Sequence, residues 1–123
     1  IGVAEGQKMN SSMKRGTEME PIARKAFEEE VGIEVFPQIV YHKDNSFMMA
    51  SLDGLTLDGT AAVEIKCPGK RAHDIALSGK IPEYYMPQLQ HQLACLCLDM
   101  LYYYSFDGNN GVSIIGKVPL VTD

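Results

Sequence analysis

The stretch from Ala50 to Pro68, ASLDGLTLDGTAAVEIKCP, places two carboxylates and an ammonium where one short hairpin would gather them. Asp58-Gly59 is a strong hairpin signal, because both central residues of a two-residue type I′ turn need positive φ. A turn centred there pairs residues symmetric about it, and Asp53 and Glu64 are such a pair. Directly opposed side chains in an antiparallel pair have Cβ atoms roughly 4.5–5.5 Å apart, and like charges there repel. A positive group between them is therefore expected. Lys66, two residues beyond Glu64, points to the same face of a strand, while Val63 and Ile65 point to the other. Two carboxylates and one ammonium beside an apolar wall suit a hard divalent cation such as Mg²⁺, which takes oxygen ligands and commonly shares them with substrate phosphates. The same Glu-x-Lys pattern also describes a solvated strand face with a weak ion pair. A one-residue slip of the pairing around Gly54 would turn every side chain to the opposite face.

The elements that must position these residues follow from length and pattern. A chain of 123 residues with 46% hydrophobic content supports one domain with its own core, burying roughly two-thirds of the surface its unfolded chain exposes. A net charge of −5 argues against coating nucleic acid by bulk charge. The basic residues are nonetheless clustered, at Lys14-Arg15, Arg24-Lys25, then Lys66, Lys70, Arg71 and Lys80, while Glu28-Glu29-Glu30 reads as a solvated helix end. Cys67, Cys95 and Cys97 make an odd count without metal-finger spacing, which points to a reducing compartment. Cys95 and Cys97, beside Leu93, Leu96 and Leu98, read as small core residues. With no signal peptide, transmembrane run or repeat in the pattern, the expectation is a soluble, cytoplasmic protein without a membrane partner. The chain begins at Ile1 rather than Met, which leaves room for residues upstream.

A helix is predicted within Ser11 to Val31, with Ile22, Ala23, Ala26, Phe27 and Val31 recurring at helical spacing as its apolar side, and Gly32 as its stop. Its start has two readings: a capping box at Thr17 with Pro21 in the first turn, or a longer helix kinked at Pro21. Glu20 is then either a capping residue or an acid beside the buried face. Strands follow at Ile33 to Lys43 and Phe47 to Leu52, with Pro37 marking an edge or a bulge, and Ala61 to Cys67 completes a meander. A basic loop and short helix cover Arg71 to Ser78, closed by Gly79. His73 in that helix reads as a surface or phosphate-contacting histidine rather than a metal ligand, since no second ligand has matching spacing. A second long helix is predicted from Glu83 to Asp99, with Leu89, Leu93, Leu96 and Met100 as its core stripe and Gln88 and Gln92 on an adjacent one. Strands at Leu101 to Phe106 and Val112 to Val118 end the pattern.

Four groups of residues in this order carry a resemblance. Arg15-Gly16-x-x-x-Glu20, Ser51-Leu52-Asp53-Gly54-Leu55, Val63-Glu64-Ile65-Lys66-Cys67-Pro68 and Tyr85-Met86-Pro87-Gln88-Leu89-Gln90 together resemble the lambda-exonuclease family, the YqaJ-type viral recombinases of the PD-(D/E)XK nuclease superfamily. The resemblance runs from about Arg15 to Phe106. It implies an α/β fold, a restriction-endonuclease-like core with a central mixed sheet flanked by helices.

Residue by residue, the resemblance implies that Asp53, Glu64 and the backbone carbonyl of Ile65 hold Mg²⁺, with Mn²⁺ able to substitute. Lys66 would orient or activate the attacking water, Glu20 would complete the acidic site, and Gln88 would support the nucleophile or the lysine. Here the family's usual Ser-Pro-Asp is Ser51-Leu52-Asp53, a change at a residue that is not a ligand. The family's N-terminal segment, which helps hold the DNA end and its 5′ phosphate, is expected to be lacking or nearly so. The implied activity is 5′-to-3′ degradation of linear double-stranded DNA, leaving a 3′ single strand for phage-type recombination, in a bacterial or phage-encoded protein. A trimer and a single-strand annealing partner are likewise implied by the family alone.

The physical chemistry fits that expectation. Phosphodiester hydrolysis needs a hydroxide-like nucleophile and neutralisation of charge in the transition state. Lys66 beside two carboxylates favours its charged form, which suits orientation and charge balance better than general-base work. Arg15, Lys70, Arg71, His73 and Lys80 are placed to grip backbone phosphates, or are solvated loop charges. Tyr84 and Tyr85 read either as core packing or as a platform for a frayed base. Two other readings remain at this stage: an endonuclease or repair nuclease of the same superfamily, and a non-catalytic DNA-binding module.

Overall fold

The computed structural model describes residues 11–117 and 121–122, and the side chains of residues 16–117. Helix α1 (Ser11–Val31) leads into strands β1 (Phe36–Tyr41), β2 (Met49–Leu55) and β3 (Ala62–Lys66). Helix α2 (Lys70–Leu77) and a 3₁₀ turn (Glu83–Tyr85) precede α3 (Met86–Leu96), and β4 (Met100–Phe106), β5 (Gly111–Lys117) and β6 (Val121–Thr122) complete the order. The strands form one sheet in sequence order, antiparallel except where β3 lies parallel to β4. That parallel pair requires a crossover, which α2 and α3 supply. The α/β fold with a mixed sheet and flanking helices is thus the expected one. Among the described residues, no helix is long and apolar enough to cross a membrane.

The sheet has a core on each face. On one side Ala23 and Phe27 of α1 pack on Val63, Ile65, Tyr104 and Phe106. On the other, Leu89 and Leu93 of α3 and Ala76 of α2 pack on Leu52, Ala62, Leu101 and Tyr103. Each large side chain buried this way stabilises the fold by about 1.5–3 kcal/mol. Alternation along β3 does the sorting: Val63 and Ile65 go to the α1 side, so Glu64 and Lys66 go to the α3 side.

Several local expectations are corrected. Helix α1 runs through both Thr17 and Pro21, so Thr17 lies inside it and the capping box is absent. Ile22 faces solvent, since Met19, Ala23 and Phe27, each four residues from the next, already fill the inward stripe. Gly32 does end the helix, at φ 81°. The second long helix divides at its start, and α3 stops at Leu96, where Cys97 adopts a left-handed conformation. Met100 therefore belongs to β4, and Cys97 is exposed rather than core, while Cys95 is buried. The pairing of β6 with β5 has no counterpart in the sequence pattern, because two residues are too few to show a period.

The turn after β2 also differs. Only Gly59 has positive φ, so the loop is not type I′. Thr56 and Ala61 close a four-residue loop, with the Thr56 N–H donating to the Ala61 carbonyl at 3.0 Å. Inside it, the Thr56 hydroxyl accepts from the amides of Thr60 and Ala61, and the Asp58 carboxylate accepts from Thr60. These side-chain acceptors satisfy a wider loop that a bare two-residue turn could not hold. Both loops share one centre, so the register survives: Gly54 pairs with Val63 and Leu55 with Ala62.

Candidate active site

Beyond Gly54 and Val63 the β2–β3 ladder stops. A bulge causes the opening. Phe36 pairs with Leu55 and Gln38 with Leu52, so three steps along β2 match two along β1 and β2 carries an extra residue at Asp53-Gly54. Leu52 and Leu55 consequently lie on the same α3 face, while Gly54 turns towards Val35 and Val63. Pro37, which has no amide hydrogen to give, sits opposite the bulge on the edge strand.

Side chains replace the missing ladder bonds. Asp53 Oδ2 accepts the Ile65 N–H at 2.8 Å. Three β2 carbonyls take side-chain donors: Met49 from His91 Nε2 at 2.7 Å, Ser51 from Gln92 Nε2 at 3.2 Å, and Asp53 from Arg24 Nε at 2.8 Å. On a strand the N–H and C=O of one residue point to the same side, so the Ile65 carbonyl also faces the opening.

The two carboxylates meet at this opening, but not as simple cross-strand partners. Asp53 sits within hydrogen-bonding reach of Glu64, and burial, then the charge of Glu64, pushes its carboxyl up to about 7, against the pull of the Ile65 amide. Glu64, 4% exposed, accepts from Gln92 Nε2 at 2.7 Å on Oε1 and from Gln88 Nε2 at 3.2 Å on Oε2. The Lys66 ammonium lies 3.2 Å from Glu64 Oε2, donates to Gln88 Oε1 at 3.0 Å, and sits 4.7 Å from the centre of the Tyr85 ring. The Gln88 amide thus links the lysine to the acid, its oxygen taking from one and its nitrogen giving to the other.

Glu20 comes from α1. It pairs with Arg24 one turn on, and burial, followed by the charge of Asp53, raises its carboxyl above the ordinary range. The acids therefore run Glu20, Asp53, Glu64 from one side of the sheet to the other. Among the described residues, no three His, Cys, Asp or Glu side chains converge as a ready cation cage. What does fit a hard divalent cation is narrower: Asp53, Glu64 and the Ile65 carbonyl, an all-oxygen set with one carboxyl that burial and a like charge hold partly protonated. Glu20, held by Arg24, stands beside that set.

An open cleft of about 700 Å³ adjoins the opening, with Glu20, Ile65, Lys66, Lys70, Arg71 and Tyr85 on its wall. Tyr84 stands exposed at its rim, edge-on to Tyr85 at 4.5 Å. Lys70 and Arg71 are exposed at the start of α2, Lys70 paired with Asp74 at 2.6 Å. His73 is corrected: it is 6% exposed, its Nδ1 lies 2.8 Å from Ser105 Oγ, and its Nε2 lies 3.7 Å from Asp107. On this short helix Ala72, His73 and Ala76 make the inward face, which leaves His73 unavailable to a phosphate in the cleft. Lys80 is exposed beyond α2 and lies outside the cleft wall. The Arg15 backbone belongs to α1, and its side chain lies outside the described residues.

Two residues at the site, Gln92 and Arg24, carry no functional reading in the sequence. Gln92 stands one turn after Gln88 and Arg24 one turn after Glu20, so helical spacing from an already suspected residue was the available signal. Tyr85 reads in the sequence as core packing or a base platform, but its place against Lys66 depends on the crossover, which no local pattern specifies.

An acidic pair beside a lysine at a sheet opening, on a mixed sheet with helices on both faces, defines a nuclease-like α/β protein. The pattern of the YqaJ-like viral recombinase domain matches residues 1–97, and the chain belongs to that family. Among solved structures, it is similar to LHK-Exo in complex with dAMP, with a TM-score of 0.78 and 31% identity over 90% of this chain and 60% of that one. It is likewise similar to the crystal structure of an alkaline exonuclease, LHK-Exo, from Laribacter hongkongensis, with a TM-score of 0.76 and 31% identity over 95% and 61%. The chain thus spans about three-fifths of the length of these structures. No curated protein gives a match.

Proposed function

We propose that this chain carries the catalytic core of a metal-dependent 5′-to-3′ exonuclease that degrades linear double-stranded DNA and leaves 3′ single strands for phage-type recombination. The observation that supports it most is the convergence of Asp53, Glu64 and Lys66 where the β2–β3 ladder opens. Family membership and likeness to an alkaline exonuclease support the same reading.

Mg²⁺, or Mn²⁺ in its place, would be held by Asp53, Glu64 and the Ile65 carbonyl, and would supply Lewis-acid activation of water and charge neutralisation at the phosphoryl group. Lys66 orients the attacking water and balances charge developing on the phosphate oxygens, its ammonium fixed by Glu64, Gln88 and the Tyr85 ring. Glu20 sits beside Asp53 as a further acid for the water network, once its pairing with Arg24 loosens. Lys70 and Arg71 at the cleft hold the sugar-phosphate backbone without reading sequence. An exposed Tyr84 beside them offers a face for a terminal base. Trimer formation and an annealing partner are proposed on family grounds.

The test is digestion of linear 5′-phosphorylated duplex beside a covalently closed circle, with Mg²⁺ and with chelator, for the wild type and Lys66→Ala. Loss of the linear DNA alone, dependent on both the cation and Lys66, is the expected result. Cutting of the circle would make the chain an endonuclease, and a folded sample that binds DNA without cleaving it would make it a binding module.

A further inference from the structure

Gln92 is 2% exposed, on the α3 side of the sheet, one helical turn beyond Gln88. A buried amide needs partners for its hydrogens, and here both come from the site. Its Nε2 donates to Glu64 Oε1 at 2.7 Å and to the Ser51 carbonyl at 3.2 Å. Those acceptors stand on the two strands that have parted, so one side chain spans the gap that the bulge creates. The two glutamines divide the Glu64 carboxylate between them. Oε1 faces the buried amide of Gln92, whereas Oε2 is shared by Gln88 and Lys66, the first exposed and the second partly so.

We propose that Gln92 is a positioning residue that fixes Glu64 as a one-oxygen cation ligand, keeping Oε1 occupied from the core side and presenting Oε2 to the site. The inference rests on the metal-dependent reading above. Its chemical consequence is selectivity. Mg²⁺ and Mn²⁺ accept a small number of protein oxygens in near-octahedral geometry, whereas Ca²⁺ readily takes both oxygens of one carboxylate. Removing the Gln92 amide frees Oε1, loosens Glu64, and should favour Ca²⁺ relative to Mn²⁺.

Gln92→Met keeps the length and removes both hydrogen bonds. Dissociation constants for Mn²⁺, from paramagnetic resonance of the free ion, and for Ca²⁺, by competition, are compared with the wild type at pH 8. DNA binding in chelator serves as the control for folding. Loss of an outer partner of a metal ligand typically weakens the cation by about 10–100-fold. We expect a Mn²⁺ loss in that range, a smaller Ca²⁺ loss, and unchanged DNA binding in chelator. An unchanged Mn²⁺ constant in folded protein would overturn the positioning role. Equal losses for both cations would overturn the one-oxygen assignment. A wild type that binds neither cation would remove the metal-dependent reading itself, a result distinct from either. Should Gln92→Met not fold, the Mg²⁺-induced infrared difference spectrum of the unmodified protein serves instead: two-oxygen carboxylate bands alone would overturn the proposal, and one-oxygen bands would support it.

Discussion

The two ends of the β2–β3 pair are made of the same strands and hold together in opposite ways. At the loop end, Gly54 and Leu55 pair with Val63 and Ala62 through backbone bonds, and a network of Thr56, Asp58 and Thr60 closes the turn. At the other end the backbone bonds stop, and Asp53, Arg24, Gln92 and His91 supply side-chain substitutes. The loop end carries stability at low cost in charge. The open end gathers acids, a lysine and two amides, of which that of Gln92 is buried, and leaves one carboxyl pushed up to about 7. A bulge of one residue separates the two regimes, so the fold tolerates local destabilisation just where the proposed chemistry would need charge. Such a trade between site and stability is common in enzymes.

The sharpest break in this comparison is Asp53→Asn. The amide can still accept from Ile65, so the strands should stay in place, but the charge a cation needs is gone. DNA cleavage should fall by about 10³-fold or more. Metal-free stability at pH 8 should rise, by roughly 1–3 kcal/mol, because the burial of a carboxylate charge, and with it the like-charge contact with Glu64, is relieved. Urea titration without metal, read beside a cleavage assay, checks both halves of that outcome.

At the loop end the expected effect is on folding. A Cβ at Gly54 would meet Val35 Cγ2 at 2.6 Å and Val63 Cγ1 at 2.8 Å, so Gly54→Ala must push β1 or β3 aside. Overpacking of this kind costs about 1–3 kcal/mol, measurable by thermal melting. Activity should fall with it, since the bulge that aims Asp53 lies next to this contact. A Gly54→Ala protein that melts like the wild type would contradict the packed geometry.

The smallest effects belong to the cleft wall. Arg71→Ala should weaken DNA binding about equally across sequences and reduce the magnitude of the slope of log K against log salt by about 1. His73→Ala should leave that slope unchanged and lower stability instead, because His73 is held by Ser105 in the interior.

Much of this is legible in the sequence. Glu64 and Lys66 share a face because a strand alternates, and Asp53 reaches Glu64 because the loop is centred at Asp58-Gly59, even though that loop is wider than a type I′ turn. Pro37 and Gly54 signalled irregularity without saying which strand would bulge, since that depends on how Leu52 and Leu55 both reach the α3 core. The burial of His73 leaves no sign in the sequence, because a short helix shows too few turns to reveal its buried side. The opposing roles of Gln88 and Gln92 were hidden for another reason. Their distance from Glu64 is set by the crossover through α2 and α3, a tertiary feature.

Completion of the open end by a divalent cation, as proposed, is checked by thermal stability against pH, with and without Mn²⁺. Asp53 has its folded value raised to about 7 from 3.8, so its contribution is present below about pH 4 and is lost as pH rises through 7. Asp58 and Asp107 are shifted the other way, Asp58 chiefly by the Thr56 hydroxyl and Asp107 chiefly by the Asn110 amide, and what they contribute is lost only in acid. Between pH 6 and 8 the Asp53 carboxyl therefore titrates, with its neighbour Glu20 also shifted upwards, and a cation must displace the Asp53 proton at pH 6. Mn²⁺ should raise Tm by on the order of 5–10 °C at pH 8, clearly less at pH 6, and not at all in Asp53→Asn. A rise that is equal at both pH values, or that survives in Asp53→Asn, would contradict it.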